Sequence, residues 1–288
     1  MKKLLLIVLF LLPIFISSFN KATFLFSNND KNIIVHITDE DLYLDLNDYI
    51  IGVVSSEMPA LFNEEALKAQ SVASRSYAVS KMNNNYLEIS SSINDQVYSP
   101  NYKLKEKWSD KYHEYYNKIS SCVKSTSNEV IKRDNKILRT YYFSMSNGYT
   151  ENSKTVFNET TFTSVESAEN ENITNYHYQK EMSLSEFYKI LNISSINNLN
   201  IERNNTNHVS TITINDKTYS GIEFRKLLNL RSTDFTINQN SNNIIITTTG
   251  YGHGVGMSQY GANQMAKEGS NYQEILMHYY QNTEIKEI

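Results

Sequence analysis

The sequence predicts an α+β fold, and three observations carry that expectation. Apolar and polar residues alternate over 23–45, as in Ile33, Ile34, Val35, His36, Ile37 and then Leu42, Tyr43, Leu44, and strand-like stretches recur at Val209–Ile214 and Asn243–Thr249; this is the period of a half-buried strand. Between them, Leu46, Tyr49, Ile50, Val53, Val54 and Glu57 fall at i, i+3, i+4, i+7, i+8 and i+11, one face of a helix. No internal repeat and no sharp break in composition divides the chain.

The elements follow in order. Short strands occupy 23–45. The helix from Leu46 ends at Met58-Pro59, because the residue before a proline is pushed out of the α region. Asn63 is a good N-cap for a second helix, with Glu64 and Glu65 in its first turn. That helix runs through Ala66, Leu67, Ala69, Ala73 and Tyr77 to about Met82. Residues 83–101 are polar and turn-rich. A third helix spans Lys105 to about Ser121, followed by strands near Glu129–Ile131 and Thr140–Ser144. Residues 150–180 lack periodicity and read as a surface loop. Leu184–Leu191 reads as a helix, Asn192–Asn207 as an Asn- and Ser-rich linker. Beyond come the two strand stretches with a short helix, Gly221–Leu228, between them. A Gly-rich turn, Gly250–Gly261, and a helix from Tyr272 to Tyr280 close the chain.

Composition excludes some classes. Of 288 residues, 40% are hydrophobic and 20% charged, enough apolar material for a substantial core. A net charge of -4 without a basic block argues against a general nucleic-acid binder, which needs a cationic face for phosphates. The single cysteine, Cys122, permits no internal disulfide and no Cys-rich zinc site, and reads as a small buried residue in a helix. Lys2 and Lys3 precede an apolar run from Leu4 to Ile16. The run is shorter than the roughly 20 residues of a comfortable membrane span, yet no small-x-small cleavage site follows it. Residues 1–22 are therefore expected to be a membrane anchor, with a cleaved export signal as the alternative. The lysines would stay in the cytoplasm and residues 23–288 would form one domain outside it.

Three places could carry chemistry. Glu57 breaks the apolar stripe: a carboxyl held against Val53, Val54 and Met58 is partly desolvated, which raises its pKa and suits a general acid. It could equally turn to solvent at the helix end. The stretch Gly250–Gly261 concentrates five of the chain's nine glycines around His253, but lacks the Lys-Ser/Thr of a P-loop. His253 could polarise a substrate, orient a carboxylate or cap the turn. The Ser146-Asn147-Gly148 turn offers hydroxyl and amide groups that suit sugars, and also suit any hairpin.

These residues stand in longer motifs. Asp48-Tyr49-Ile50-Ile51-Gly52-Val53-Val54-Ser55-Ser56-Glu57-Met58-Pro59, followed by Glu65-Ala66-Leu67-Lys68-Ala69-Gln70-Ser71-Val72-Ala73-Ser74-Arg75-Ser76-Tyr77-Ala78, resembles the signature of the stage II sporulation protein D/LytB family. Ser146–Glu151, Gly250–Ala262 and Tyr272–Tyr280 resemble its later blocks, in order. The resemblance implies a single elongated α+β catalytic domain with a substrate groove between the Glu57 region and the Gly-rich turn. It implies a lytic transglycosylase that acts on peptidoglycan glycan strands stripped of stem peptides by a partner amidase. Such an enzyme works during engulfment in sporulation and is held at the septal membrane with engulfment proteins. The family's catalytic glutamate falls on Glu57. Gln70, Arg75, Tyr77, Ser146, His253, Gln259 and Tyr260 match other motif positions and are implied to line the groove. Gln96 and Tyr98, in Asp95-Gln96-Val97-Tyr98, are secondary candidates beside Asn147. Some members bind zinc through a Cys/His-containing insertion; here Ile89–Tyr98 holds neither residue, so no metal and no cofactor is expected.

Two other readings stay open. Part of the family is described as enhancing wall amidases, which would make this a binding module whose Glu57 holds sugar without cutting it. An ordinary glycoside hydrolase would need a second carboxylate at defined separation.

Overall fold

The computed structural model describes residues 33–288 apart from 83–85, 93, 168, 170 and 171. The anchor expected at 1–22 lies outside the described residues. Strands β1 (Ile34–Ile37) and β2 (Leu42–Asp45) pair antiparallel, Ile34 opposite Asp45. Val35 and Ile37 enter the core while Ile34 and His36 are half-buried, the alternation of a strand covered on one face. Helix α1 (Leu46–Glu57) has the expected bounds. The Asp45 side chain accepts from Asn47 N, and Leu46, Tyr49, Ile50, Val53 and Val54 are buried. Met58 then turns extended, at φ −113° and ψ 143°, as the following proline demands.

Helix α2 (Glu64–Ser80) starts at Asn63, whose side chain accepts from Glu65 N. Every residue from Ala69 to Ser76 is buried, although four of the eight are Gln, Ser or Arg besides Ser76 itself. Its serines make this possible. Ser71 and Ser76 donate to the carbonyls of Leu67 and Val72, both at 2.7 Å, so their hydroxyls are satisfied within the helix. Small residues then let neighbours approach on all sides.

The polar stretch 83–101 contains a strand that its composition conceals. β3 (Tyr86–Ile89) runs parallel to β1, giving the sheet order β2-β1-β3. Four residues are too few for a period to stand out. The single helix expected from Lys105 is two. α3 (Asn101–Trp108) begins after Pro100, and Ser109, at φ 48°, opens a 3-10 turn before α4 (Tyr112–Ser125). Cys122 is buried in α4, as expected. β4 (Glu129–Arg133) turns through Asp134 and Asn135 into β5 (Lys136–Ile137).

β6 (Tyr142–Phe143) is shorter than the five residues expected. The presumed loop 150–180 holds α5 (Ser153–Phe157) and the start of β7 (His177–Ser183), and α6 (Leu184–Leu191) follows as predicted. The linker-like stretch contains β8 (Leu199–Arg203), an edge strand whose alternate residues face solvent. β9 (Val209–Ile214) and β10 (Lys217–Ser220) form a hairpin, and α7 (Gly221–Leu227), β11 (Phe235–Gln239) and β12 (Asn243–Thr249) complete this part. The Gly-rich turn stops sooner than expected. β13 (Met257–Ser258) pairs parallel with β6, and α8 (Gln259–Lys267) begins with Ser258 as its cap. α9 (Tyr272–Tyr279) and β14 (Glu284–Glu287) end the chain, β14 lying on β4.

Among the described residues most buried apolar side chains fall into two clusters. The larger surrounds α2 and draws on α1, α4, β4, α8 and α9. The smaller comprises residues such as Phe187, Ile212, Phe224, Phe235 and Ile246, between the sheets β10-β9-β8 and β11-β12-β7 with α6 and α7. Glu57 stands on the larger one, where α1 ends beside the start of α8.

Candidate active site

Glu57 is the last residue of α1, so its side chain leaves the apolar stripe just as the backbone turns extended. Two donors hold the carboxylate: Val97 N at 3.2 Å from Oε1 and Gln259 Nε2 at 3.3 Å from Oε2. Burial raises its pKa above the ordinary Glu value, and those two hydrogen bonds offset the rise only in part.

A hydrogen-bonded chain lies behind this carboxylate. Gln259 Nε2 also donates to Gln70 Oε1 at 3.4 Å, and Gln70 Nε2 donates to Ser74 Oγ at 2.9 Å. Ser74 Oγ in turn reaches the Tyr142 hydroxyl at 3.5 Å, which Gln96 Nε2 also approaches at 2.7 Å. Gln96 Oε1 accepts from the buried Tyr49 hydroxyl at 3.1 Å. Burial and the charge of Glu57 hold the Tyr142 phenol well above its ordinary pKa. Gln70 and Gln96 therefore fix the orientation of groups around Glu57, and Gln70 is fully buried.

Two depressions meet at Glu57. The first, about 610 Å³, is walled by Tyr77, Gln96, Tyr141, Tyr142, Phe157, Tyr251 and His253. The second, about 440 Å³, is walled by Leu61, Lys107, Trp108, Tyr115 and Tyr260. Ser56, Glu57, Ser144 and Gln259 border both. An acid thus sits where two depressions meet, with aromatic walls on either side.

His253 lines the first depression. Its Nδ1 accepts from Val255 N at 3.1 Å, so it caps the Gly-rich turn. Burial among Tyr141, Phe143 and Phe157, then the charge of Arg225, lower its pKa to about 4. The imidazole is neutral at physiological pH. The turn that carries it needs glycine at Gly256, where φ is +79° and a Cβ would stand 2.0 Å from the Tyr141 carbonyl oxygen.

The structure thus brings Glu57, Tyr77, Gln96, His253, Gln259 and Tyr260 together, with Gln70 behind them. Four implied groove residues lie elsewhere. Arg75 is wholly buried and donates to the carbonyls of Glu129 (3.1 Å) and Val123 (3.2 Å), tying α2 to β4 and α4. Tyr98 stacks on Tyr49 at 5.7 Å and covers Gly52, where a Cβ would be 2.2 Å from its ring. Ser146 is buried against Glu169, which also takes the hydroxyl of Ser258. Asn147 Nδ2 donates to Thr206 O and Asp234 Oδ2, both at 2.9 Å.

Sequence reasoning missed Tyr142, Ser144, Lys107, Trp108 and Tyr115. The first two stood in the quoted strand without a distinguishing pattern; the other three lie on the solvent-side run of α3 and α4, where no motif marked them. Among the described residues no group of three or more His, Cys, Asp or Glu could hold a metal ion.

Comparison with known proteins agrees with the motifs. A family model described as Stage II sporulation protein matches residues 39–132. Stage II sporulation protein D of Bacillus subtilis (strain 168) is 39% identical over 256 residues, covering 84% of this chain and 74% of that protein. The Bacillus amyloliquefaciens protein of the same description is 38% identical over 255 residues, with the same coverage. An amidase enhancer of Bacillus subtilis is 23% identical over 292 residues, covering 81% of this chain and 39% of that protein.

Proposed function

The chain belongs to the stage II sporulation protein D family, and from that membership we propose that it is a peptidoglycan lytic transglycosylase of sporulation, with Glu57 as its acid and base. It would act outside the membrane to which its first residues anchor it, on glycan that a partner amidase has stripped of stem peptides. The observation that carries the reading is the position of Glu57: a half-buried carboxyl of raised pKa at the waist of two aromatic-walled depressions.

Chemistry follows from that position. Protonated Glu57 gives its proton to the glycosidic oxygen between N-acetylmuramic acid and N-acetylglucosamine, and the C1–oxygen bond breaks. The carboxylate left behind removes the proton from the muramyl C6 hydroxyl, whose oxygen bonds to C1 and closes a 1,6-anhydro ring. No water is consumed, so one carboxyl suffices. The other acid bordering the depressions, Asp95, is engaged by Lys81 and by Ser90 N, the latter at 2.8 Å. That leaves the second carboxylate of an ordinary hydrolase without a candidate among the described lining residues. Gln259 and Val97 orient the carboxyl, and neutral His253 with Tyr77 and Tyr142 offers uncharged polar groups to a sugar.

Likeness to an amidase enhancer favours one rival, a glycan-binding activator that does not cut. Mass spectrometry of products from amidase-treated peptidoglycan separates the two. The full chain should release fragments ending in 1,6-anhydro-N-acetylmuramic acid, and Glu57→Gln should lower their yield at least a hundredfold. Cleavage that survives in Glu57→Gln would remove Glu57 from the mechanism. Reducing ends would indicate hydrolysis, and no cleavage by the folded chain would favour the activator.

A further inference from the structure

The chemistry proposed at Glu57 makes no use of Lys107. This residue lies in the last turn of α3 and borders the second depression beside Trp108 and Tyr115. Among the described residues that line either depression it is the sole lysine or arginine. Its ammonium donates to the Ser55 carbonyl at 3.0 Å, a carbonyl in the last turn of α1 with no later helical residue to serve it. The Trp108 ring centre stands 5.8 Å away. No carboxylate among the described residues pairs with Lys107, and burial alone lowers its pKa.

An ammonium has three donors; the Ser55 carbonyl takes one, the exposed side chain leaves the others to solvent, and no carboxylate among the described residues supplies countercharge. Its position on an aromatic wall of sugar-ring size calls for a saccharide that carries an acid. In peptidoglycan one such group exists, the lactyl substituent of the muramyl ring. With a stem peptide attached it is a neutral amide followed by a bulky chain. Once an amidase has removed the peptide it is a free carboxylate, able to form a charge-assisted hydrogen bond with an ammonium.

We infer that Lys107 binds the free lactyl carboxylate of a muramyl residue seated in the second depression, and so selects glycan from which the stem peptides have been removed. The inference rests on the glycan reading given above and adds to it the residue that reads the substrate's state. It requires an amide-cleaving reaction upstream, since only that reaction creates the charge Lys107 would recognise.

The test measures binding, which does not depend on Glu57 being the acid. Soluble glycan oligomers from amidase-treated wall are compared with the same oligomers after their lactyl carboxylates have been capped as methylamides. Each is titrated calorimetrically into the full Glu57→Gln chain in detergent, which leaves the strands uncut. The free-acid form should bind about tenfold more tightly at low salt, with the ratio falling as salt screens the pair. Adding Lys107→Met should bring the two forms to equal affinity, while Lys107→Arg should keep most of the preference. Equal binding of both forms by the chain with Lys107 intact, or an undiminished preference in Lys107→Met, overturns the inference and leaves the glycan reading standing. Binding of neither form overturns both.

Discussion

Glu57 was visible in the sequence because it is a charged residue in a stripe whose other members are Leu46, Tyr49, Ile50, Val53 and Val54. What the stripe could not show was which donors would meet it, since Val97 and Gln259 lie 40 and 202 positions away. Burial sets the direction of its titration, and those donors moderate it. Gln259 Nε2 bonds the charged carboxylate and so lowers a pKa that burial has raised. Gln259→Ala removes that bond, and the Glu57 pKa rises further. Activity that requires protonated Glu57 declines as pH climbs through this pKa, so the falling limb of the pH–rate profile should move to higher pH in Gln259→Ala. The plateau rate should drop roughly ten- to a hundredfold from looser positioning. Tyr77→Phe, which touches no bond to the carboxylate, should leave the limb in place. A limb that stays put in Gln259→Ala would show that another group controls it.

At the scale of elements, α2 shows why a motif match and a direction in space are different things. Gln70 and Tyr77 are seven residues apart, nearly two full turns, and share the face toward the depressions. Arg75 is five residues from Gln70, about 140° around the helix, and so faces α4 and β4 instead. Helical arithmetic alone therefore sets Arg75 apart from the face that Gln70 and Tyr77 share. Its work is structural. Burial lowers its pKa to about 10, and its guanidinium serves carbonyls on two other elements. Arg75→Met should leave those carbonyls unsatisfied and cost about 3 kcal/mol or more in urea unfolding. The fraction that remains folded should keep its specific activity, whereas a groove residue would lose activity with stability unchanged. Other elements escaped notice for reasons of length: β3 has four residues and β6 two. The helices fared better where a cap and a stripe coincided, as at Asn63 and Ser183. α3 and α4 ran together because Lys105–Lys111 carries almost no apolar residue to mark the break.

Across the whole molecule, two apolar clusters meet through polar contacts, which is why no hydropathy break announced the smaller one. Asn147 spans to Thr206 and Asp234, while Glu151 Oε1 lies 3.0 Å from His208 Nδ1 and takes bonds from Thr206 and Asn204. The second motif block, whose hydroxyl and amide groups suit a sugar or a hairpin alike, thus joins the smaller cluster to the part that carries Glu57. Burial by itself would raise the Glu151 pKa, but His208, Thr206 and Asn204 together lower it below the ordinary 4.5. A carboxylate with a depressed folded pKa stabilises the fold at every pH above the unfolded value. That contribution is lost as pH falls through the folded pKa. Glu151→Gln should therefore cost about 1–3 kcal/mol at pH 7, and the difference from the parent chain should hold down to about pH 4.5, the ordinary Glu value, then shrink below it. Because the bonds lost all cross between the clusters, amide exchange in β8 and β9 should accelerate more than in α2. Equal acceleration in both would mean that the clusters open as one unit and that Glu151 is not what couples them.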